Sequence, residues 1–488
     1  MAFDPAPSLD PIRAIRLGVT TSGTHVLGVA VTSDGDVPDA LGLTRDQLAT
    51  WGFTGAAGST FVVPAPTPVV AVGIGASADV STAVLRDAAA AFARTAAREP
   101  TLSTDLAAVA GLDAAEAAQA VVEGAVLGRY RYDALRSDPT TVPLDALTLH
   151  VTDEAAARAG VERGRVLARV AALSRDLANT PAGHLTAPDF ADLASRLAAE
   201  AGLEVVVHDK AALVELGCGG LLGVNAGSTV EPRMVILRYA PEGATAHLGL
   251  VGKGITYDSG GISLKPSNAM HAAMKMDMSG AGAVLAATTA LAELEVPVAV
   301  SAYLALTDNM PSGSATKLGD VLVSRSGRTI EVVNTDAEGR LVMADAIALA
   351  REDGVEAIVD IATLTGAALA ALGPLSAALI GNDDALSDIV ESAARKTDER
   401  VWALPLDHRY RPWMDSEVAD IKNLGGEFAG AITAALFLSE WVGDVPWAHL
   451  DIAGPMRSEK DDVWRSKGAT GFGARLLVET TLGWAAAR

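Results

Sequence analysis

Short apolar runs alternate with longer stretches of helical periodicity in the first part of the chain. The apolar runs are residues 25–31, 69–73 and 146–150, and the alanine-rich helical stretches include residues 82–98 and 113–127. A repeated order of strand and helix is typical of an α/β domain. We therefore predict an α/β fold for this part of the chain.

A long amphipathic stretch then separates two halves of the sequence. Residues 153–180 carry Arg and Glu on one face and Ala, Val and Leu on the other, and Pro181 stops the helix. Thr186 provides the next helix start. We predict an N-terminal α/β domain at 1–152, a connecting helix at 153–180 and a second domain at 181–488.

The second domain returns to alternating strands and helices, and its strands are apolar on both faces. The predicted strands include residues 203–207, 234–239, 247–251, 296–306, 329–333, 356–361 and 447–452, with helices at 280–294 and 338–351. Strands that are apolar on both faces indicate a largely parallel sheet covered by helices. The predicted fold class is thus α/β in both domains.

Polar residues follow several of these apolar runs. Ligands of open α/β sheets bind at the carboxyl ends of strands, so these positions are candidates for chemistry. Four acidic and three basic residues occur there, in the segments GKGITYDSGGISLK, MKMDMSG and NTDAEGRL; in chain order they are Lys253, Asp258, Lys265, Asp277, Asp336, Glu338 and Arg340.

Acidic side chains in such glycine-rich, apolar surroundings need a positive partner, and a divalent cation is the simplest one. The chain has eight histidines but no HExxH and no histidine pair at metal-ligand spacing, which argues against a single histidine-bound zinc. Carboxylates suit manganese or magnesium and are accepted by zinc, and four of them suffice for two ions about 3.5–4 Å apart. Taken singly, an acid such as Asp277 or Asp336 is better explained as a helix cap or turn former than as a metal ligand.

The longer segments VGKGITYDSGGISLK and NTDAEGRL resemble the signatures of the cytosolic leucyl aminopeptidase family. The resemblance extends through VADIKNLGGEFAGAITAALFL and WAHLDIAG and is weak in the N-terminal domain. It implies a macro-domain-like N-terminal domain used for assembly. It also implies that residues 181–488 form a metallo-exopeptidase that releases N-terminal residues from peptides, with leucine and other apolar residues preferred.

The resemblance implies a role for individual residues. The implied metal ligands are Lys253, Asp258, Asp277, Asp336 and Glu338, with Asp258 and Glu338 bridging two ions; manganese is expected first, with zinc or magnesium as alternatives. Lys265 and Arg340 are implied to act on the substrate, and Gly339, Arg340 and Leu364 to hold a bicarbonate that shuttles protons. The implied substrate pocket contains Lys265, Met274, Asn334, Thr363 and Gly366. Eleven residues separate Lys265 from Asp277, one more than in familiar members, which affects the expected place of Met274.

This chemistry is also consistent on physical grounds. Two cations polarise the scissile carbonyl and lower the pKa of a shared water toward about 7. The free α-amine of a peptide can ligate one ion, whereas an internal peptide nitrogen cannot, which favours an aminopeptidase. Lys253 can ligate only as a neutral amine, while Lys265 can remain charged and stabilise the oxyanion.

Charge and cysteine content restrict the partners and the compartment. The 38 Lys and Arg residues against 60 Asp and Glu residues leave a net charge of −22, which disfavours nucleic acid and anionic membranes as partners. The chain has one cysteine, Cys218, so no internal disulfide can form, and we expect its side chain to be small and buried. Residues 1–13 lack the apolar core of a secretory signal. Residues 361–381 carry no charge but are rich in alanine and glycine, so we expect them to be buried in protein. A cytoplasmic location is expected.

Two alternatives and two further expectations remain. Gly73 and Gly75 resemble half of a dinucleotide fingerprint, with Ala78 at the third position, which leaves an NAD-linked oxidoreductase as one alternative. A non-catalytic binding or regulatory protein on the same fold is the other. His271 is expected to be exposed. The family resemblance also implies a homohexamer of two stacked trimers, with peptides bearing a free N-terminus as substrates.

Overall fold

The computed structural model describes residues 3–20, 26–138 and 141–488 and divides into two compact units. The first, here called the N-terminal unit, contains residues 6–172 and 458–468. The second, here called the large unit, contains residues 173–457 and 469–488 together with the residues up to Pro5. His25, where the first predicted strand begins, lies outside the described ranges.

The N-terminal unit is an α/β domain built on one six-stranded sheet. Its strands are β1 (Arg16–Thr20), β2 (Val26–Val31), β3 (Thr60–Val63), β4 (Val69–Gly73), β5 (Thr101–Thr104) and β6 (Ala146–His150), and its helices are α1 (Leu9–Ala14), α2 (Arg45–Thr50), α3 (Thr82–Thr95) and α4 (Ala114–Arg129). The sheet order is β1-β6-β5-β2-β4-β3, parallel except for β3 at one edge. Alanine-rich faces of α3 and α4 pack into its core, as the sequence pattern predicts.

The long amphipathic stretch forms one helix, α5 (Glu154–Asn179). Helix α6 (Ala187–Glu200) then begins with a capping box in which Thr186 Oγ1 accepts the backbone N–H of Asp189 while the Asp189 side chain accepts the N–H of Thr186. Such a reciprocal cap satisfies two backbone donors that the first turn of a helix leaves free. It explains why a new helix begins at Ala187, after the break at Pro181.

The large unit holds the remaining elements. Its strands are β7 (Glu204–His208), β8 (Arg233–Tyr239), β9 (His247–Asp258), β10 (Ala299–Asn309), β11 (Val321–Val323), β12 (Thr329–Glu331), β13 (Ala357–Ala362), β14 (Ala377–Gly381), β15 (Val401–Ala403), β16 (Ile421–Lys422) and β17 (Trp447–Asp451), and two short strands, β18 (Arg457–Ser458) and β19 (Gly468–Ala469), stand at the junctions of the two units. Its further helices are α7 (Lys210–Leu216), α8 (Gly219–Asn225), α9 (Ala269–Ala272), α10 (Ser279–Thr288), α11 (Gly339–Glu352), α12 (Gly366–Leu372), α13 (Asp384–Thr397), α14 (Gly430–Val442) and α15 (Ala474–Ala486).

The main sheet of the large unit has eight strands in the order β15-β14-β17-β13-β9-β10-β8-β7. The four central strands, β17, β13, β9 and β10, are parallel to one another, and antiparallel pairs occur toward both edges. Their residues are buried on both faces. This confirms the predicted α/β class with a largely parallel sheet.

Strands β9 and β12 differ most from the prediction. Strand β9 continues past Val251 to Asp258, because it pairs with β10 along its whole length although glycines interrupt its apolar pattern. Strand β12 does not join the main sheet but pairs with β11 and β16 in a separate three-stranded sheet. Within the described ranges no helix is long and apolar enough to cross a membrane.

Candidate metal centre

Of the seven charged side chains predicted from the sequence, two belong to the central strand β9, and the others come from loops and from the start of a helix. Lys253 and Asp258 belong to β9 itself, and Asp277 lies just before α10. Glu338 directly precedes α11 and Asp336 lies two residues earlier. Parallel neighbours end at the same edge of a sheet, so segments far apart in sequence converge there.

Lys253 is the buried centre of this group. Its Nζ lies 2.9 Å from Asp277 Oδ2 and 2.8 Å from Glu338 Oε1, and it donates to the Thr363 carbonyl at 2.9 Å. Burial alone would lower the pKa of Lys253, but the negative charges of Asp277 and Glu338 outweigh burial and raise it. The amine must therefore lose a firmly held proton before it can ligate a metal ion.

Lys265 lies on the more open side of the group. Its Nζ is 2.7 Å from Asp258 Oδ2 and 2.5 Å from Asp336 Oδ1, and its side chain is 19% exposed, against 3% for Lys253. Burial lowers the pKa of Lys265, and the charge of Asp258 more than compensates, so the pKa is raised. Lys265 is thus a charged ammonium that solvent or a ligand can reach.

The carboxylates fit a divalent cation. One oxygen each of Asp258, Asp336 and Glu338 lie within 4.8 Å of one another, and burial raises the pKa of Asp277 and of Glu338. Glu338 Oε2 is buried and has no hydrogen-bond partner among the described residues. A buried carboxylate oxygen without a partner is costly unless a cation binds it. The donor set of carboxylates and one amine suits manganese, magnesium or zinc.

Asn309 positions Asp258 and was not predicted from the sequence. It ends β10 opposite Asp258 of β9, and its Nδ2 donates to Asp258 Oδ1 and to the Thr335 carbonyl, both at 2.9 Å. The backbone N–H of Gly260 donates to the same Asp258 oxygen at 2.9 Å. A polar residue at a strand end was the available signal, but the predicted strand stopped at Leu306, three residues short.

Asn423 holds the loop that carries Asp336. Its Oδ1 accepts the Val333 N–H at 2.9 Å and its Nδ2 donates to the Asn334 carbonyl at 2.7 Å. Asn334 in turn accepts the Asp336 N–H at 2.8 Å. Asn423 lies in the recognised segment VADIKNLGG, yet nothing in that pattern assigned it a role.

The residues predicted to line a substrate pocket take different positions. Thr363 Oγ1 donates to Asp277 Oδ1 at 2.7 Å, so this side chain touches the acidic cluster. Met274 is buried in the short helix that precedes Asp277. Gly366 is exposed at the start of α12.

Arg340 is a buried cation, and two of its guanidinium nitrogens have no hydrogen-bond partner among the described residues. Its side chain lies in the first turn of α11, and its Nε and Nη1 make no hydrogen bond in the described part of the chain. Burial lowers the pKa of Arg340 to about 10, and Glu338 and Asp451 partly offset this effect. A buried guanidinium with free donors can bind an anion. The predicted third contact, the Leu364 N–H, donates to Asp451 Oδ1 at 3.2 Å.

Three other candidates from the sequence are explained by packing. A Cβ at Gly73 would lie 2.1 Å from the Ala56 carbonyl oxygen, so a close backbone contact is enough to explain this glycine. Cys218 is buried, and burial raises the pKa of its thiol to about 12. His271 is half-buried rather than exposed, and its ring stacks on Tyr257 at a centroid distance of 5.9 Å.

Comparison with known proteins agrees with this geometry. Residues 172–478 match the profile of the catalytic domain of the cytosol aminopeptidase family, and residues 33–139 match that of its N-terminal domain. A probable cytosol aminopeptidase from Streptomyces avermitilis is 44% identical over 95% of this chain and 94% of its own length. One from Solibacter usitatus is 44% identical over 86% of this chain and 88% of its own length.

Two solved structures are also similar to this chain over nearly its whole length. The bottromycin maturation enzyme BotP in complex with Mn superimposes with a TM-score of 0.88 at 41% identity, over 95% of this chain and 100% of that one. A variant of tomato leucine aminopeptidase superimposes with a TM-score of 0.88 at 33% identity, over 96% of both chains.

Gly339 leaves the space that Lys253 occupies. A Cβ at Gly339 would lie 2.7 Å from both Cε and Nζ of Lys253, whose amine is held by three partners. We expect Gly339→Ala to displace the amine, with at least a tenfold loss of metal affinity and a destabilisation of about 1–3 kcal/mol. Metal titration followed by calorimetry, and denaturant unfolding, measure the two effects. Gly313→Ala is the control, because a Cβ there meets no atom within 4 Å; equal metal affinity in both variants would contradict the expectation.

Proposed function

Because the chain belongs to the cytosol aminopeptidase family and is thus an aminopeptidase, we propose that it removes leucine and other apolar N-terminal residues from peptides by metal-assisted hydrolysis. The observation that carries this proposal is the buried cluster of carboxylates around Lys253, in which Glu338 Oε2 lacks a partner among the described residues. A cluster of this kind binds cations, and peptide hydrolysis is a reaction that such cations promote.

Five side chains would hold two divalent ions in this proposal. They are Lys253, Asp258, Asp277, Asp336 and Glu338, with Asp258 and Glu338 shared between the ions. When bound, the ions would supply Lewis-acid polarisation of the scissile carbonyl and a water of lowered pKa. We favour manganese because the similar enzyme BotP has been solved with Mn; zinc and magnesium fit the same donors.

Two cationic residues of the chain would act on the substrate. Lys265 is charged and partly open to solvent, so its ammonium can stabilise the negative oxygen that develops at the scissile carbonyl. Nε and Nη1 of Arg340 have no hydrogen-bond partner among the described residues, and Arg340 would hold a bicarbonate together with the backbone at Gly339 and Leu364, whose N–H would turn from Asp451 to the anion. A bicarbonate at this position would accept and return a proton during hydrolysis.

The apolar preference would come from the residues around this cluster. Met274, Asn334, Thr363 and Gly366 would line the pocket for the N-terminal side chain, with Lys265 at its polar end. Similarity to tomato leucine aminopeptidase supports leucine as a test substrate. The extra residue between Lys265 and Asp277 would alter the wall that Met274 forms.

Turnover of a chromogenic leucine amide tests the function directly. We expect hydrolysis with manganese, its loss with a chelator and its return when manganese is added back, because the carboxylate cluster needs the cation. An acetylated leucine amide is the matched control, since it lacks the free α-amine and should not be cleaved. Purified protein without turnover under any of the three metals would favour the non-catalytic binding protein.

The ligand assignment predicts different effects for Glu338 and Arg340. We expect Glu338→Ala to lose both ions, because two cations about 4 Å apart repel each other strongly when a bridging acid is removed. Arg340→Ala should keep both ions and lose about a hundredfold or more in kcat. Mass spectrometry of the purified variants measures their metal content and distinguishes Glu338→Ala from Arg340→Ala. Asp388→Ala, at an exposed position, is the control and should keep both ions. Two tightly bound ions in Glu338→Ala would refute the bridging role.

We also propose that the chain acts in the cytoplasm as a hexamer of two trimers. The N-terminal domain at 1–152 would serve assembly, helix 153–180 would connect it, and residues 181–488 would form the catalytic domain. An enclosed site would admit peptides and exclude folded proteins. Sedimentation should therefore give a mass near six chains, and a fully active species with the mass of one chain would rule out the hexamer as a requirement.

A further inference from the structure

Asp360 and His449 form a buried hydrogen-bonded pair in the middle of the main sheet. Both side chains are completely buried, they face each other across the paired strands β13 and β17, and His449 Nδ1 lies 2.6 Å from Asp360 Oδ1. The second oxygen of Asp360 accepts the Trp447 indole N–H at 2.6 Å. A buried pair of this kind adds little folding stability, because desolvation offsets the attraction between the charges. We therefore ask whether this pair supports the residues around the metal centre.

Asp451, the last residue of β17, lies between this pair and the carboxyl end of the sheet. It is two residues beyond His449 on β17, so the two side chains point to the same face. Asp451 Oδ1 accepts the backbone N–H groups of Leu364 and Thr365 at 3.2 and 3.3 Å, and Oδ2 accepts Thr365 Oγ1 at 2.6 Å. Asp451 thus fixes the loop between β13 and α12.

That loop contacts the metal centre one residue earlier, at Thr363. The Thr363 carbonyl accepts Lys253 Nζ at 2.9 Å, and Thr363 Oγ1 donates to Asp277 Oδ1 at 2.7 Å. Any shift of Leu364 and Thr365 would be passed directly to these two contacts. The negative charge of Asp451 also acts on Arg340: it raises the pKa of that guanidinium, whereas burial lowers it.

Direct contacts join Asp360 to His449 and Glu338 to Lys253. His449 Nε2 is buried and has no hydrogen-bond partner among the described residues, so His449 and Asp451 are related by their shared face of β17 rather than by a hydrogen bond. The groups that face His449 are Asp360 from β13, Asp451 from its own strand and Arg340 from α11. Burial disfavours a charged His449, but the two aspartates outweigh burial and Arg340 and raise its pKa.

We propose that Asp360, His449 and Asp451 are positioning residues that hold the 363–366 loop against Lys253 and Asp277. This role rests on the proposed function for its effect on turnover, but the loop contacts themselves do not depend on it. None of the three residues is expected to touch substrate. His449, held by Asp360 and beside Asp451 on the same face of β17, would keep Asp451 in place as an acceptor for Leu364 and Thr365.

Hydrogen exchange with and without His449→Gln tests the proposal. Glutamine can still donate to Asp360 but carries no charge. We expect the amides of Leu364 and Thr365 to exchange at least tenfold faster, with the amides of β9, β10 and α11 unchanged. We also expect kcat to fall at least tenfold while KM changes little and the metal content stays at the wild-type value.

The control is His247→Gln, at the amino end of β9. His247 also bonds a neighbouring strand, through Nε2 to Ser301 Oγ at 2.8 Å, but stands at the opposite end of the sheet. This variant should leave both the exchange of the loop and kcat unchanged. If His449→Gln does not fold, Asp451→Asn replaces it, because asparagine keeps the shape but cannot accept Thr365 Oγ1 at the Oδ2 position.

The outcomes separate this proposal from the proposed function. Unchanged exchange at Leu364 and Thr365 in the folded variant overturns the positioning role. Faster exchange throughout the sheet also overturns it, because it would indicate an ordinary contribution to the core. Selective exchange in a protein that hydrolyses no peptide would support the positioning of the loop and refute only the peptidase proposal.

Discussion

The large unit depends on one electrostatic constraint: several carboxylates must be held close together in a site with little water. Like charges at such distances repel strongly, and burial raises the pKa of Asp277 and Glu338. Lys253 and Lys265 each compensate two of these carboxylates. Such a cluster is stable only if cations remain in place, whether ammonium groups or metal ions. The strands of the main sheet, Gly339 and the side-chain amides of Asn309 and Asn423 hold the charged groups at these distances.

The parallel sheet meets this constraint because its central strands end side by side. Strand β9 carries Lys253 and Asp258 on its own backbone, and β10 brings Asn309 beside them. The remaining acids come from the loops before two buried helices, α10 and α11. Rigid strands and helix starts therefore hold the charges, whereas long loops could not keep them at fixed separations.

A second layer of polar residues fixes the loops that carry the charges. Asn309 holds Asp258, Asn423 holds the approach to Asp336, and Asp451 holds the loop of Thr363. Asn423 and Asp451 bond mainly to backbone groups, so their effect is on the shape of a loop, whereas Asn309 bonds one carboxylate and one backbone carbonyl. Residues of this type are buried and nearly invisible in a sequence pattern, because Asn and Asp are also common turn formers.

The sequence by itself determined the α/β class, the long helix before Asn179 and the seven charged residues at strand ends, because these follow from local periodicity and from two long recognisable segments. Only the tertiary structure decided that β9 extends to Asp258, that β12 belongs to a small separate sheet and that residues 458–468 group with the N-terminal unit. It alone also decided that Asp360 and His449 meet in the core. Such pairings join residues distant along the chain, and no local pattern encodes which strand lies beside which.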